Sequence, residues 1–294
     1  MTTLDRRVKK EKLKTEKKGR LLGLPNKIEG EPMEATKIRA RVYADTRGEG
    51  KGNMGAIELP SFTILVDSTI SIKTANSFRK SLESKIESPV RKLILTHYHS
   101  DHVLGIPAFK DCDIIASEPY KKLRRTVKHN PKITFEKSLA LEDREFSVEI
   151  VHAGGHTMDS SYVYFPQEKT LFSGDLIFAK TFFYAGDQTF NPDRWTEALK
   201  RFMTMEIQTI VPGHGPICSK EEVETYIQFF ETTSSIMKQL IKAGAREKEA
   251  VENTDFPDFY AEYREGVRAL ALTNWYRFYK QQRKTQSSPK PRVF

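Results

Sequence analysis

Four strand-like segments of this chain each run into a turn that carries histidine or aspartate, and this recurrence limits the folds open to the chain. The segment RKLILT is followed by HYHSDH, and three later segments run into GGHT, SGD and PGHG. Loops at strand ends can converge while a sheet holds them rigid. Side chains that are far apart in sequence are therefore expected to meet at one edge of a sheet, and the glycines beside them permit the tight turns that this requires.

The rest of the chain alternates short apolar strands with amphipathic helices. Strands are predicted over residues 37–46, 55–60, 62–69, 91–96, 112–117, 146–153, 160–166, 169–175 and 207–216, with the second and third forming a hairpin and the last breaking at Pro-Gly. Helices are predicted over 74–86, 118–128, 191–205 and most of 220–280, with an interruption near NTDFPDF. This order favours an α/β architecture of sheets covered by outer helices.

The positive charge of the chain is concentrated at its two ends. The formal net charge is +9, while residues 1–20 and 277–294 carry +6 each, which leaves −3 for residues 21–276. We therefore predict a basic tail over 1–20, a catalytic domain over 21–218, a helical region over 219–282 that packs on it, and a second basic tail over 283–294. A basic N-terminus without a following apolar stretch, together with two cysteines in unrelated contexts, predicts a cytoplasmic protein with no membrane segment.

The histidines and aspartates of the turns are candidate metal ligands. Alternate residues of an extended segment face one way, so His97 and His99 can address one ion together, whereas Asp101 and His102 follow a turn and can address another point. Imidazole and carboxylate ligands suit Zn²⁺, iron or manganese. Since a closed structural site needs four ligands, a larger set predicts two ions, which lie ~3.5–4 Å apart in dinuclear hydrolytic sites. The candidates are His97, His99, Asp101, His102, His156, Asp175 and His214.

These motifs resemble those of the metallo-β-lactamase superfamily. THYHSDH matches its HxHxDH signature, and GGHT, SGD and PGHG match its later motifs in the right order, so that the resemblance spans roughly residues 37–216. It implies a four-layer αββα sandwich with a dinuclear site at one edge. By motif, the first metal would be held by His97, His99 and His156, and the second by Asp101, His102 and His214, with Asp175 bridging both. Asp67 would support the metal loop without binding a metal itself.

The chain departs from the motifs of several subfamilies, so its resemblance to them concerns the metal chemistry and not the substrate. Class B3 β-lactamases lack the bridging acid, which is present here as Asp175, and class B1 enzymes use a cysteine ligand that neither Cys112 nor Cys218 matches. Quorum-quenching lactonases of this fold carry tyrosine three residues after the bridging aspartate, where this chain has Phe178. Glyoxalase II continues its GD motif with Gly-Cys-Gly, which is absent here.

The predicted activity is hydrolysis of a small-molecule ester, thioester, lactone or related bond. Two ions, expected to be Zn²⁺ with iron or manganese as alternatives, would lower the pKa of a bound water from 15.7 towards ~7, and the bridging hydroxide would attack the substrate. Asp101 is the candidate catalytic residue, since it can orient this nucleophile. Aromatic residues beside the motifs are candidate substrate contacts that would form an apolar wall: Tyr98, Phe178, Phe182, Phe183 and Tyr184.

Two other activities remain open at this point. A mononuclear iron oxidoreductase resembling persulfide dioxygenase is compatible with the nineteen-residue separation of His156 and Asp175. A nuclease resembling ribonuclease Z is favoured by the basic ends but disfavoured by the slightly acidic body, so nucleic acid is not the expected partner. The sequence also leaves open a homodimer and a lid formed by the C-terminal helices.

Overall fold

The first sheet is built almost entirely from segments that precede the histidine cluster or flank it. The computed structural model describes residues 32–47, 52–123 and 129–287. Seven strands lie in the spatial order β1 to β7, with antiparallel pairing from β1 to β4 and parallel pairing from β4 to β7. Their bounds are β1 Thr36–Lys37, β2 Val42–Asp45, β3 Met54–Glu58, β4 Thr63–Val66, β5 Val90–Ile94, β6 Asp113–Ser117 and β7 Ile133–Phe135.

The second sheet contains the later motifs. Its five strands lie in the order β12-β11-β10-β9-β8, and all pairs are antiparallel except the parallel pair of β11 and β12. Their bounds are β8 Ser138–Asp143, β9 Phe146–His152, β10 Ser161–Phe165, β11 Thr170–Phe178 and β12 Thr209–His214. Because β12 lies at the edge of the described sheet, one side of its backbone needs no strand partner.

Seven α-helices occur within the described residues. Their bounds are α1 Ile72–Glu83, α2 Ser100–Val103, α3 Tyr120–Leu123, α4 Pro192–Thr204, α5 Lys220–Ala243, α6 Glu247–Val251 and α7 Val267–Ser287. Local sequence sets their ends. The Ser71 hydroxyl accepts a hydrogen bond from the backbone N–H of Thr74 at the start of α1, and Gly244 takes the left-handed conformation that ends α5.

Three hydrophobic clusters separate four layers of structure. Alternate strand residues point to opposite faces, so in β4 Ile64 and Val66 meet the second sheet while Leu65 meets the helix α1 side. Between the sheets, residues such as Ile57 and Ile94 pack with Val163 and Phe172. The outer face of the second sheet packs against α4, α5 and the C-terminal helices. The fold is therefore the predicted αββα sandwich with a helical C-terminal region.

The structure corrects several predicted strands. The segment 37–46 is broken into β1 and β2 rather than forming one strand. Strand β12 continues through Pro212 and Gly213 to His214 instead of ending at Pro-Gly, and β11 extends beyond Asp175 to Phe178. Strands β7 and β8 were not predicted, because neither is a strongly apolar run. The predicted helix over 118–128 is seen only as α3, since residues 124–128 lie outside the described part of the chain.

The C-terminal helices share a hydrophobic core with the second sheet. Trp275 of α7 packs against Phe230 of α5, and both belong to the cluster that contains Leu176 of β11. Helix α7 runs to Ser287, so residues 283–287 are helical rather than part of a tail that begins at 283. The predicted tail over 1–20 lies outside the described residues. Among those described, no helix is both long enough and apolar enough to span a bilayer.

The start of α4 offers a test of how the fold positions the GGHT turn. Asn191 accepts a hydrogen bond from the N–H of Arg194 through its side-chain oxygen at 3.0 Å, and its own N–H donates to the Gly155 carbonyl at 2.8 Å. Replacement of Asn191 by alanine removes only the cap, so we expect the free energy of unfolding in urea to fall by about 1 kcal/mol. Asn191→Ser keeps a capping oxygen and should therefore avoid most of that loss. Equal stability of the alanine variant and the wild type would contradict this role.

Candidate metal centre

Two groups of ligand-type side chains come together at one edge of the sandwich. In the first group, one potential ligand atom from each residue lies within 4.8 Å of all the others, and the same holds for the second group. The first group is His97, His99, His156 and Asp175, and the second is Asp101, His102 and His214. All seven residues predicted from the sequence are therefore brought together, while their role as metal ligands stays a prediction.

The ligand-type residues come from both sheets. His97 and His99 follow β5 of the first sheet, and Asp101 and His102 lie in the short helix α2 that follows at once. His156 lies in the turn between β9 and β10 of the second sheet, while Asp175 and His214 lie within β11 and at the end of β12. Each group therefore spans both sheets. The groups form only because the sheets pack face to face.

The carboxylate of Asp175 lies between the two groups and directs one oxygen to each. Its Oδ1 is 3.0 Å from Nε2 of His102 and 3.4 Å from Nε2 of His214. Its Oδ2 is 3.4 Å from Nε2 of His156 and 3.6 Å from Nε2 of His97. The side chain is only 4% exposed, so burial holds it in this position. A single carboxylate can thus serve both groups at once.

Hydrogen bonds fix the orientation of two histidines in the first group. Nδ1 of His156 donates to the carbonyl oxygen of Tyr184 at 3.0 Å, which leaves its Nε2 as an acceptor. The hydroxyl of Thr96 donates to Asp67, so Nδ1 of His97 acts as the donor in its 3.1 Å contact with that hydroxyl. Both rings therefore present an Nε2 lone pair to the centre of the group.

Asp67 lies beside His102, and its role in supporting the metal loop stays a prediction. Its Oδ2 accepts a hydrogen bond of 2.8 Å from Nδ1 of His102, and its Oδ1 accepts one of 2.8 Å from the backbone N–H of Thr96. These bonds turn Nε2 of His102 towards the second group. Asp67 takes a left-handed backbone conformation with φ 61°, which aspartate tolerates better than most residues. Such carboxylate–histidine pairs orient metal-binding imidazoles in proteins.

The donor set fits divalent metal ions. The buried Nε2 of His97 has no hydrogen-bond partner within the described residues, and Nε2 of His156 lies 3.0 Å from Nδ1 of His99. In the second group Nε2 of His102 lies 3.3 Å from Nε2 of His214. Converging imidazole nitrogens and carboxylates are costly to bury unless a cation or protons compensate them. Borderline ions such as Zn²⁺ suit this set of nitrogen and oxygen donors.

The two groups differ in their affinity for protons in the absence of metal. Burial lowers the pKa of His156 to about 3, and burial together with neighbouring histidines holds the pKa of His97 well below its usual range. Burial also acts to lower the pKa of His214, but Asp175 and Asp101 outweigh it and raise that pKa to about 9. Burial acts to raise the pKa of Asp101, but His102 and His214 lower it to about 2. Asp101 is thus ionised at neutral pH.

The predicted aromatic wall is only partly present at the cluster. The ring of Tyr184 lies 5.9 Å from that of His99, and Phe178 stacks on His214 with centroids 4.8 Å apart. Tyr98 lies beside His99 at 4.9 Å. Phe182 and Phe183, by contrast, are fully buried and pack into the core with α5 and α7. Their burial does not fit a substrate-facing wall, so this part of the expectation is corrected: both rings are core residues.

Two residues near the cluster have positions that sequence patterns did not predict. Asp187 approaches His99 Nε2 at 3.3 Å, although it lies in no recognised motif. The only signal in the sequence is its place at the end of the aromatic stretch that follows Asp175. His152 contacts two backbone carbonyls, those of Glu136 at 2.9 Å and Met158 at 2.7 Å. It therefore fastens the turn that carries His156 without joining either group.

Comparisons with known proteins agree with these motifs. The family model of the metallo-beta-lactamase superfamily matches residues 47–214. The 2,4-dinitroanisole O-demethylase subunit alpha of Nocardioides sp. (strain JS1661) is 27% identical over 232 residues, which cover 74% of this chain and 68% of that protein. The beta-lactamase-like protein 2 homolog of Caenorhabditis elegans is 28% identical over 207 residues, covering 66% of this chain and 65% of its own length. The chain thus spans about two thirds of these relatives.

More distant matches include an alkylsulfatase and solved structures. The linear primary-alkylsulfatase of Pseudomonas sp. (strain ATCC 19151) is 20% identical over 266 residues, covering 70% of this chain and 50% of that protein. A metallo-beta-lactamase from Pontibacter korlensis superimposes with a TM-score of 0.61 at 22% identity, covering 68% of this chain and 99% of that one. A double mutant of the sec-alkyl sulfatase PisA1 gives 0.71 at 13% identity, covering 88% and 52%. These structural likenesses show the shared fold.

Proposed function

The chain belongs to the metallo-beta-lactamase superfamily, and from this premise we propose that it is a metal-dependent hydrolase with two divalent ions, most simply Zn²⁺, at the described cluster. The proposed substrate is a small molecule with an ester, thioester, lactone or related bond. One observation carries the proposal above all: the two oxygens of Asp175 face different ligand groups. A site for a single ion would have no use for this arrangement.

The first group would hold one ion through three imidazoles and Asp175, and the second group would hold the other. When bound, the two ions would supply an activated water nucleophile near neutral pH and would stabilise negative charge that develops on the substrate. Burial of the ligands strengthens these electrostatic interactions, because the surrounding protein screens charge less than water does.

Asp101 is the proposed residue for orienting the nucleophile. Its side chain is 25% exposed, whereas that of Asp175 is 4% exposed, so Asp101 lies on the open side of the cluster. Its Oδ2 lies 3.1 Å from Nε2 of His214, which fixes the direction of the carboxylate. Since Asp101 is ionised at neutral pH, its other oxygen can accept a hydrogen bond from a nucleophile on the substrate side and so orient it.

Tyr98 and Tyr184 remain the proposed substrate contacts. Both rings are half-buried and lie beside His99, at 4.9 Å and 5.9 Å between centroids. Flat aromatic surfaces next to a metal cluster favour a substrate with an apolar or aromatic portion. The names of the relatives, an O-demethylase of dinitroanisole and an alkylsulfatase, widen the range of compounds worth testing to aryl ethers and alkyl sulfates.

A second candidate rests on the composition of the first group. Three histidines and one carboxylate form a sufficient site for a single iron ion, and this group is complete without Asp101, His102 or His214. An iron oxidoreductase resembling persulfide dioxygenase would use that group alone. Such an enzyme would give no function to Oδ1 of Asp175, the oxygen that faces the second group, so we favour the hydrolase.

The proposed function predicts activity that depends on two metal ions per chain. Natively purified protein should contain about two equivalents of metal and hydrolyse at least one member of a panel of ester, thioester, lactone, alkyl sulfate, aryl ether and phosphodiester substrates. Treatment with a chelator should abolish this activity, and added Zn²⁺ should restore it, because the bound ions activate the nucleophile. One iron per chain with oxygen consumption would support the second candidate. Hydrolysis that survives complete metal removal would contradict both.

A further inference from the structure

We propose that Asp187 is a positioning residue for the first ligand group, and that it holds His99 in the tautomer that presents Nδ1 to the cluster. The inference rests on the proposed function, because it concerns how the chain prepares a metal ligand. Asp187 belongs to none of the motifs in the sequence, and it lies in the segment that follows strand β11.

The carboxylate of Asp187 is held by several hydrogen bonds. Its Oδ2 accepts a short hydrogen bond from the hydroxyl of Tyr98 and lies 3.3 Å from Nε2 of His99. Its Oδ1 accepts from the backbone N–H of Thr189 at 2.7 Å and from the hydroxyl of Thr189 at 2.5 Å. The residue is 8% exposed, so water competes little for these bonds. Asp187 therefore presents a fixed acceptor to His99.

This acceptor decides which nitrogen of His99 carries the proton. Nε2 donates its hydrogen to Asp187, and the lone pair of Nδ1 then faces Nε2 of His156 at 3.0 Å. The opposite tautomer would place a hydrogen on Nδ1 and direct it into the first group, where it would block coordination. Asp187 disfavours that tautomer because a carboxylate next to an unprotonated Nε2 would lose its hydrogen bond.

The same residue connects His99 to the turn that carries His156. The hydroxyl of Thr189, which donates to Asp187, accepts a hydrogen bond from the backbone N–H of Met158 at 2.7 Å. Met158 follows His156 by two positions. Asp187 thus helps to set the distance between two members of the first group as well as the orientation of one of them.

Asp187 contacts a histidine of the first group only, whereas Asp67 contacts His102 of the second group directly and reaches the first group only through Thr96. Asp67 accepts from Nδ1 of His102 in the second group, and Asp187 accepts from Nε2 of His99 in the first. Removal of one carboxylate should weaken one metal position more than the other. This difference separates a positioning role from a general contribution to stability, which would affect both positions together.

The test compares Zn²⁺ binding by the full-length wild type, Asp187→Ala and Asp67→Ala, with competition by a chromophoric chelator to resolve two dissociation constants. We expect Asp187→Ala to weaken one of the two sites by about 10–100-fold and to leave the other within about threefold. Asp67→Ala should weaken the other site. Long-range ¹H–¹⁵N NMR of the zinc-loaded proteins should show a protonated Nε2 on His99 in the wild type and loss of its protected proton signal in Asp187→Ala.

Two further variants serve as controls. Asp187→Asn keeps an oxygen that can accept from Nε2, so it should retain the tautomer and lose less affinity than the alanine variant. Tyr98→Phe removes the other donor to Oδ2 of Asp187 and leaves the bonds from His99 and Thr189, so both Zn²⁺ dissociation constants should stay close to wild type. If Asp187→Ala does not fold, as judged by circular dichroism, the NMR signal and affinities of Asp187→Asn decide the question.

Several results would overturn the inference. Wild-type affinities at both sites in Asp187→Ala would do so, as would an equal loss at both sites or a persistent Nε2 proton signal. A protonated Nδ1 on His99 in the zinc-free wild type, with an unprotonated Nε2, would also refute it. Failure of the wild type to bind Zn²⁺ would instead overturn the proposed function, and it would be seen before any variant is compared.

Discussion

Replacement of Asp175 by alanine is expected to reduce bound metal from about two ions per chain to one or fewer and to lower kcat at least about 10²–10³-fold, which is the effect of removing one preorganised electrostatic contact in an active site. The physical reason lies in its two oxygens, which lie 3.0 Å from His102 Nε2 and 3.4 Å from His156 Nε2. Loss of this carboxylate takes a ligand from both groups at once. Metal quantification after dialysis, together with steady-state kinetics on the best substrate, measures both effects.

A surface variant provides the matched control for this experiment. Asp113→Ala removes a carboxylate whose partner is the exposed Lys132, so metal content and kcat should stay at wild-type values. Asp175→Asn distinguishes charge from shape, because the amide is nearly the same size but cannot neutralise two cations. Full metal content in Asp175→Ala would rule out the shared position of this carboxylate and, with it, the proposed two-ion site.

The second large effect is expected from replacement of Gly213 by alanine. This change would act through steric overlap rather than through loss of a ligand. A Cβ at this position would lie 2.1 Å from Oδ1 of Asp175 and 2.6 Å from the carbonyl carbon of Gly174. Neither backbone can move freely, since β11 and β12 pair in parallel here. We expect the free energy of unfolding to fall by about 1–3 kcal/mol, as for other overpacked sites, and metal affinity to fall with it.

Gly244 offers the same substitution away from the cluster. An added Cβ there would meet nothing within 4 Å, but Gly244 has φ 92°, so Gly244→Ala should cost about 1–2 kcal/mol through backbone strain alone. Its metal content should remain that of the wild type. The comparison uses urea denaturation and metal titration of both variants. An unchanged metal affinity in Gly213→Ala would show that Asp175 tolerates displacement, which would contradict the tight geometry described above.

The ligand-type residues could be predicted from the sequence because each is part of a short local motif. The motif for His97, His99, Asp101 and His102 is contained in six consecutive residues, and three short glycine-containing motifs mark the others. The fold followed from the alternation of apolar strands and amphipathic helices. These patterns are local, so a single chain displays them without knowledge of which strands pair.

Other features depend on contacts that no local pattern contains. Strand β12 passes through Pro212 because it is an edge strand, where a missing N–H costs little, whereas the sequence pattern predicted a break. An aromatic pair such as Phe182 and Phe183 reads the same in the sequence whether it faces a substrate or the core. Only the positions of α5 and α7 determine that both rings are buried. Asp187 and His99 are 88 positions apart in the sequence, and only the fold brings their side chains into contact.

The origin of the ligand-type residues in two different sheets has a consequence for the lifetime of the protein. An ion bound by His97, which follows a strand of the first sheet, and by Asp175 of the second sheet would link the two sheets across their interface. Any species that binds only the folded form raises the free energy of unfolding by RT ln(1 + L/Kd), where L is its free concentration. If the chain binds metal as proposed, scarcity of metal would lower the amount of protein as well as its proposed activity, because a less stable fold opens more often and is degraded by proteases.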